Sequence, residues 1–409
     1  MKALILIIIL AAFSLTVPLH AQNIEYIGSL SMAGVCDMKI SGNYAYCPVS
    51  DSFFVIDISN PSSPMTVNQT YIGGCGIGID INGEYAYVAN CLDNSLQILD
   101  ISNPMYPTYL ARCGLPGVAE GVYIEGNYAY VAAFSSGLDI IDITDHNSPS
   151  LVGRCDTPGN AKGVYVSDHY AYIADSDTGL LIINISDPAN PTLVGRYHTP
   201  GEAQDLKIID NYAYIADGDE GLQVINISDP TNPSFAGGCD TWDNANGIDV
   251  SGDYAYIADG DHNFQVINIS DPANPFSVLR YNSIDYALKV RVYDNYIFVA
   301  NTSSLLILRF NPTGIDESNP VPSSYSLSQN YPNPFNPATE IKYSLPKDDD
   351  INISIYNLLG QKVATLLDGN ENAGEHSIVW DGKDFPSGVY FARMESGGRS
   401  RNIKMVMIK

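Results

Sequence analysis

Residues 163–200 alternate between short apolar runs and tight clusters of polar, Gly and Pro residues. Gly163–Val166 is a short β-type run, and Asp168-His169 is a turn. Tyr170–Ala174 predicts a second strand, closed by the polar turn at Asp175–Gly179, and Leu180–Ile185 predicts a third, apolar along its length. Pro188 and Pro191 then break the pattern, because proline fixes φ and removes a donor. Asp187 and Asn190 add side chains that bond nearby backbone. Thr192–Tyr197 predicts a fourth strand, after which Thr199-Pro200-Gly201 carries the chain onward. Four short strands with turn signals every 8–12 residues or so indicate an antiparallel meander.

The unit is copied. Tyr-Ala-Tyr starts at Tyr44, Tyr85, Tyr128, Tyr170, Tyr212 and Tyr254, with an altered copy at Tyr296-Ile297-Phe298, and successive starts lie 41 to 43 residues apart. A fixed period in this range marks a tandem array. A four-stranded sheet repeated around an axis is a propeller blade, so the fold class is all-β, with a seven-bladed β-propeller over residues 22–312. A linear solenoid would need distinct polar caps, and neither end supplies one. Each Tyr pair, at i and i+2, lies on one face of its strand and is read as inter-blade packing.

The copies also predict how the ring closes. The seventh runs Lys289–Val292, Tyr296–Asn301 and Leu305–Phe310, then reaches Asn311-Pro312-Thr313-Gly314 without a fourth strand. The surplus strand lies at the other end: Ile24–Leu30 matches Thr192–Tyr197 in phase and precedes the first complete unit. It is expected to zip onto the last blade, which removes an exposed sheet edge.

Composition narrows the setting. Hydrophobic residues make up 45% and charged residues 16%, which describes a folded, sparsely charged chain. The net charge of -26 is uneven: residues 338–409 carry only -1 of it. So acidic a surface repels phosphate backbones, and nucleic acid is excluded as an expected partner. At the start, Lys2 precedes the apolar run Ala3–Ala12 and a small residue at Ala21, so residues 1–21 read as a cleavable secretory signal. No later stretch reaches membrane-spanning length.

Seven cysteines follow, at Cys36, Cys47, Cys75, Cys91, Cys113, Cys155 and Cys239. An odd count leaves at least one unpaired in a monomer, the expected state. Cys113, Cys155 and Cys239 share an outer-strand phase too widely separated for bridging. Cys36 and Cys75 precede inner strands of adjacent blades, where the ring is tightest, and form the candidate disulfide. No Cys-x-x-Cys spacing supports zinc.

Little of the remaining chemistry converges. His146, His169, His198, His262 and His376 differ in repeat phase and read as turn residues. No nucleophile elbow, phosphate loop or metalloprotease motif occurs. Asp175-x-Asp177-x-Gly179, Asp217-x-Asp219-x-Gly221 and Asp259-x-Asp261 resemble the opening of a calcium loop but lack its distal bidentate Glu. Structural turns are therefore preferred, no cofactor is expected, and a calcium-stabilised scaffold stands as an alternative.

Two rings carry the site expectations. The middle of each inner strand reads Lys39, Asp80, Tyr123, Tyr165, Lys207, Asp249 and Arg291, which either line the central channel or bridge blades by ion pairs, the preferred reading. The residues entering those strands read Cys36, Ile77, Glu120, Lys162, Gln204, Asn246 and Leu288, varied in chemistry while their surroundings repeat. With His198, Trp242 and Tyr286 nearby, Glu120, Lys162, Gln204 and Asn246 form the candidate binding mouth, since variable loops on a rigid scaffold specify partners. Unselected loop variation is the alternative.

The motif Tyr-Ala-Tyr-(Ile/Val)-Ala-Asp, an apolar strand, then Asn/Asp-Ile-Ser-(Asp/Asn)-Pro-x-x-Pro-x-Leu-Val-Gly resembles the LVIVD-type propeller repeat of bacterial surface proteins. After a linker at 313–328, residues 329–409 read as a small Ig-like β-sandwich without a catalytic cluster. Its Tyr331-Pro332-Asn333-Pro334-Phe335-Asn336-Pro337, Trp380-Asp381-Gly382, Pro386-Ser387-Gly388-Val389-Tyr390-Phe391 and Lys404–Lys409 segments resemble the type A C-terminal sorting domain of the type IX secretion system. That resemblance implies a didermic bacterium of the Bacteroidetes sort, the type IX machinery as partner, and an extracellular or outer-membrane location. Gly388, Tyr390, Lys404 and Lys409 are the implied sorting-signal residues, with Trp380 and Tyr390 in the core. The expected function is non-catalytic binding or adhesion to an extracellular protein or glycan. The alternative is a propeller lyase or hydrolase acting on glycans, for which only Glu120 and Lys162 are candidates.

Overall fold

The computed structural model describes residues 24–261, 264–282, 285–311, 325–396 and 399–408. The candidate signal peptide, most of the 313–328 linker, His262 and Lys409 lie outside the described residues.

Seven four-stranded antiparallel sheets follow the seven copies, each in simple sequential order from its inner to its outer strand. Blade 4, for example, runs Gly163–Ser167, Tyr170–Ala174, Leu180–Asn184 and Thr192–Tyr197. The seventh sheet is the exception. Ala287–Tyr293, Tyr296–Asn301 and Ser304–Phe310 take Ile24–Ser31 as their outer strand, with Ile24 opposite Phe310 and Ser31 opposite Ser304. The N-terminal strand closes the ring.

Glycine geometry shows why that strand belongs there. In blades 3, 4 and 5 the outer strand bulges against the third strand beside Gly153, Gly195 and Gly237. A side chain at any of these would overlap the backbone of the Pro188, Pro230 or Pro272 turn in the next blade. Gly28 sits at the same bulge, and its next-blade neighbour is Pro61 of blade 1. The first and last sheets therefore meet through the contact used at interior seams.

Hydrophobic burial is concentrated between blades rather than along one core. One apolar cluster fills each of the seven seams. The Tyr-Ala-Tyr pairs enter these clusters on one face: Tyr130 is buried and Tyr128 half-buried in the seam with Ile173, Leu181 and Ile183 of the next blade. At roughly 25 cal/mol per Å² of apolar surface, such seams dominate the folding free energy.

The C-terminal module packs Ser326–Leu327, Ala338–Leu345 and Gly374–Asp381 against Lys362–Glu371, Asp349–Asn357, Gly388–Ser396 and Arg399–Met407. Phe335, Trp380, Tyr390, Met405 and Met407 fill one core cluster. Gly388 pairs with Met407, and Lys404 lies exposed on the edge strand Arg399–Met407. No helix among the described residues is long and apolar enough to cross a membrane.

Candidate binding site at the channel mouth

The middle-strand ring turns into the axis and joins neighbouring blades in sequence. Lys39 Nζ lies 2.6 Å from Asp80 Oδ1, while Asp80 Oδ2 accepts from the Ile124 amide of blade 3 at 2.8 Å. Tyr123 and Tyr165 hold their rings 4.7 Å apart, and Lys207 Nζ stands 5.8 Å from the Tyr165 ring centre. Lys207 also pairs with Asp249 at 3.1 Å, and Asp249 accepts from the Val292 amide of blade 7 at 2.8 Å. Arg291 then reaches Asp37 of blade 1 at 2.7 Å. Every ring member thus has a partner in an adjacent blade.

Three members of this network escape the sequence reading. Two residues before each ring position stand Asp37, Gly78, Gly121, Gly163, Asp205, Gly247 and Lys289. Lys289 of blade 7 lies 2.8 Å from Asp205 of blade 5 and passes Gly247 of blade 6 on the way. A Cβ on Gly247 would lie 3.0 Å from the Lys289 side chain, so the missing side chain provides the crossing room. Burial alone raises the Asp205 carboxyl, but Lys289 and Arg291 outweigh it and hold the group below its ordinary range. The signal available in sequence was the departure of Asp37, Asp205 and Lys289 from a position that is otherwise glycine.

One residue earlier the chemistry opens out. Glu120, Lys162 and Gln204 tie their backbone amides to Ala132, Ala174 and Ala216 at 2.9, 2.8 and 2.8 Å, which fixes where each side chain leaves the rim. Lys162 Nζ donates to Gln204 Oε1 at 2.7 Å and lies 4.0 Å from Glu202. The Asn246 amide donates to the Ala287 carbonyl at 3.0 Å. Glu120 is half-buried, and burial raises its carboxyl although Lys162 and Lys289 pull it back. An acceptor of this kind suits a hydroxyl or an ammonium group arriving from solvent.

The outlying mouth residues do not join this group. His198 is exposed; burial raises the nearby Asp217 carboxyl to about 6, an effect that His198 offsets only weakly. Trp242 stacks under Arg280, 4.1 Å from ring centre to guanidinium, and donates from Nε1 to Pro346 of the C-terminal module at 3.3 Å. Tyr286 is half-buried, and its carbonyl accepts from the Thr302 amide at 3.0 Å.

The Asp-rich turns anchor loops. Asp217 accepts from Thr199 Oγ1 at 2.5 Å and the Gly201 amide at 2.9 Å, one on each oxygen. Asp175 holds Thr157 and Gly159 in the same way, at 2.7 and 2.8 Å. Asp177 and Asp219 point outward and are exposed. No group of three or more metal-ligating side chains occurs among the described residues. All seven cysteines, Cys36 and Cys75 of the candidate bridge among them, are free thiols in the structure.

Seven radial sheets closed by their own N-terminus, with a paired channel below a varied rim, define a β-propeller joined to a small sandwich. The chain belongs to the LVIVD-repeat family: the repeat model matches residues 34–70, 73–114, 116–157, 158–199, 200–241, 244–283 and 285–332. Residues 329–409 match the secretion system C-terminal sorting domain, which places the product at the extracellular or outer-membrane surface by type IX secretion. No curated protein matches the sequence. Among solved structures, the β-propeller domain of Cps50 (Swd1) from Myceliophteria thermophila is 9% identical with a TM-score of 0.59, covering 70% of this chain and 100% of that one. The computationally designed Ika8 protein is 11% identical with a TM-score of 0.54, covering 70% and 99%. Both likenesses concern the fold alone.

Proposed function

We propose that the protein is a surface-displayed binding or adhesion propeller whose rim grips an extracellular protein or glycan through Glu120, Lys162 and Gln204, with Asn246 beside them. One observation carries this reading: the Glu120 carboxyl makes no hydrogen bond or close ion pair among the described residues, with Lys162 and Lys289 acting on it only through space, while the ring just beneath it is paired. An acceptor held half-buried without an internal partner retains its capacity for an incoming donor. Lys162 and Gln204 place donors on the adjoining blade. In this reading residues 1–21 are removed at the first membrane, residues 22–312 are the displayed module, and the edge strand carrying Lys404 presents the sorting signal.

The test uses the full mature chain on a glycan array and in pulldowns from bacterial and host surface extracts. The double variant E120A/K162A is expected to lose at least about tenfold in affinity, the order of one or two lost charge-assisted hydrogen bonds. Unchanged binding would remove the rim from the account. Ligand turnover by the parent chain that disappears in the variant would replace adhesion by glycan catalysis.

A further inference from the structure

Two thiols of blade 2 and one of blade 1 meet at the same rim. Its first hairpin pairs Gly76 with Asn90, and one step further toward the rim Cys75 faces Cys91. The Cys91 amide donates to the Cys75 carbonyl at 2.8 Å, so the two remain opposed beyond the last ladder pair. Directly opposed antiparallel residues have Cα atoms about 4.5–5.5 Å apart, inside the roughly 4.4–6.8 Å window of a disulfide. The two thiols stand close enough to influence one another's protonation.

Asn90 keeps the pair in place. Its buried amide accepts from the Cys75 amide at 3.0 Å and donates to the Gly73 carbonyl at 2.7 Å, pinning the loop that arrives from blade 1. Cys36 of blade 1 stands close enough to interact electrostatically with Cys75 and Glu120. Cys47, Cys113 and Cys239 are buried within seams and have no such neighbour.

We propose that Cys75 and Cys91 form an intra-blade disulfide on export, leaving Cys36 as a free thiol beside it. Export takes the chain through an oxidising environment, where opposed thiols are oxidised and kept so. A disulfide of an envelope oxidoreductase, or a small disulfide such as oxidised glutathione, serves as oxidant. One protein thiolate attacks it to give a mixed disulfide and release one thiol. The second protein thiolate displaces the other oxidant sulfur, so two protein protons and two electrons leave as two oxidant thiols. Burial pushes the Cys91 thiol up to about 12, so Cys91 is the poorer first nucleophile and attacks second. The bridge ties the loop entering blade 2 to the end of its second strand, beside Glu120.

Mass spectrometry of the exported chain, alkylated and digested without reductant, tests this directly. The expected product is a Cys75–Cys91 linked peptide with five alkylated cysteines, rising to seven after reduction. Reductant should also lower the Tm of the parent chain and leave that of C91S unchanged, whether or not C91S is itself less stable. Seven free thiols in the exported chain would overturn the proposal, as would a Cys36–Cys75 or Cys36–Cys91 linkage in place of the expected one.

Discussion

Neighbouring residues on the same inner strands live under opposite constraints in this molecule. At the axis, Lys39, Asp80, Lys207, Asp249 and Arg291 are each bonded across a blade boundary, and Asp37, Asp205 and Lys289 complete four basic and four acidic groups. At the rim, the half-buried Glu120 carboxyl has no hydrogen bond or close ion pair among the described residues, and the Lys162 and Gln204 side chains bond to one another and to Glu202. The lesson is that charge at a propeller axis does not by itself signal a ligand. Where every charge is already matched, the network sets blade order; where one is left over, binding becomes the economical explanation.

The most forceful way to break this contrast is at Arg291. Its guanidinium sits deep in the channel against Asp37, with Asp205, Asp249 and Asp80 close enough to stabilise its charge. Replacing one member of a buried ion network leaves its partners uncompensated and typically costs about 3–5 kcal/mol. Arg291→Met should therefore lose stability on that scale in denaturant melts. A loss below about 1 kcal/mol would mean the axis is solvated and the ring is free to bind.

A smaller effect is expected where rim and axis touch. A Cβ on Gly78 would overlap the Glu120 carbonyl oxygen of the next blade. The neighbour is backbone, so relief requires blades 2 and 3 to shift. Overpacking of this kind costs typically 1–3 kcal/mol. Gly78→Ala should destabilise by that amount in thermal melts and weaken ligand capture along with E120A/K162A. Loss of stability with full capture would separate the Glu120 position from the seam beneath it.

Much of this was legible in the chain. The period and the misplaced outer strand followed from Tyr-Ala-Tyr spacing and from Ile24–Leu30 in phase with Thr192–Tyr197, because each repeat must satisfy the same backbone contacts. Ion pairing was the preferred reading of the middle-strand ring. Asp205 and Lys289 were missed because their pairing skips a blade, and a repeat alignment suggests only contacts between neighbours. Trp242 was assigned to the rim by loop position, but its ring is held by Arg280 and its Nε1 by Pro346, a contact between modules that no period encodes. Cys75 and Cys91 were missed because counting equal distances outward from the Asn82–Tyr85 turn sets Cys75 opposite Leu92, and only the bulge between Gly76 and Gly78 shifts it onto Cys91.

The subtlest distinction between rim and axis is the sign of their pH dependence. Glu120 has a raised carboxyl in the folded chain, so the folded state holds its proton more tightly than the unfolded state. Its contribution to stability is fully present below the unfolded value of about 4.3 and is lost as pH rises through the raised folded value. Asp205 runs the other way: its contribution is present above about 3.9 and is lost as pH falls through its lowered folded value. Glu120→Gln keeps the shape of a side chain that makes no hydrogen bond or close ion pair, and should stay within roughly 0.5 kcal/mol of the parent. Its stability relative to the parent should rise from pH 4 to pH 7, whereas that of Asp205→Asn should fall between pH 2 and pH 4. Guanidinium melts of the three proteins at each pH supply the test. Parallel slopes for both variants would place Glu120 in the axial network and remove the unpaired acceptor on which the proposed binding role of the rim rests.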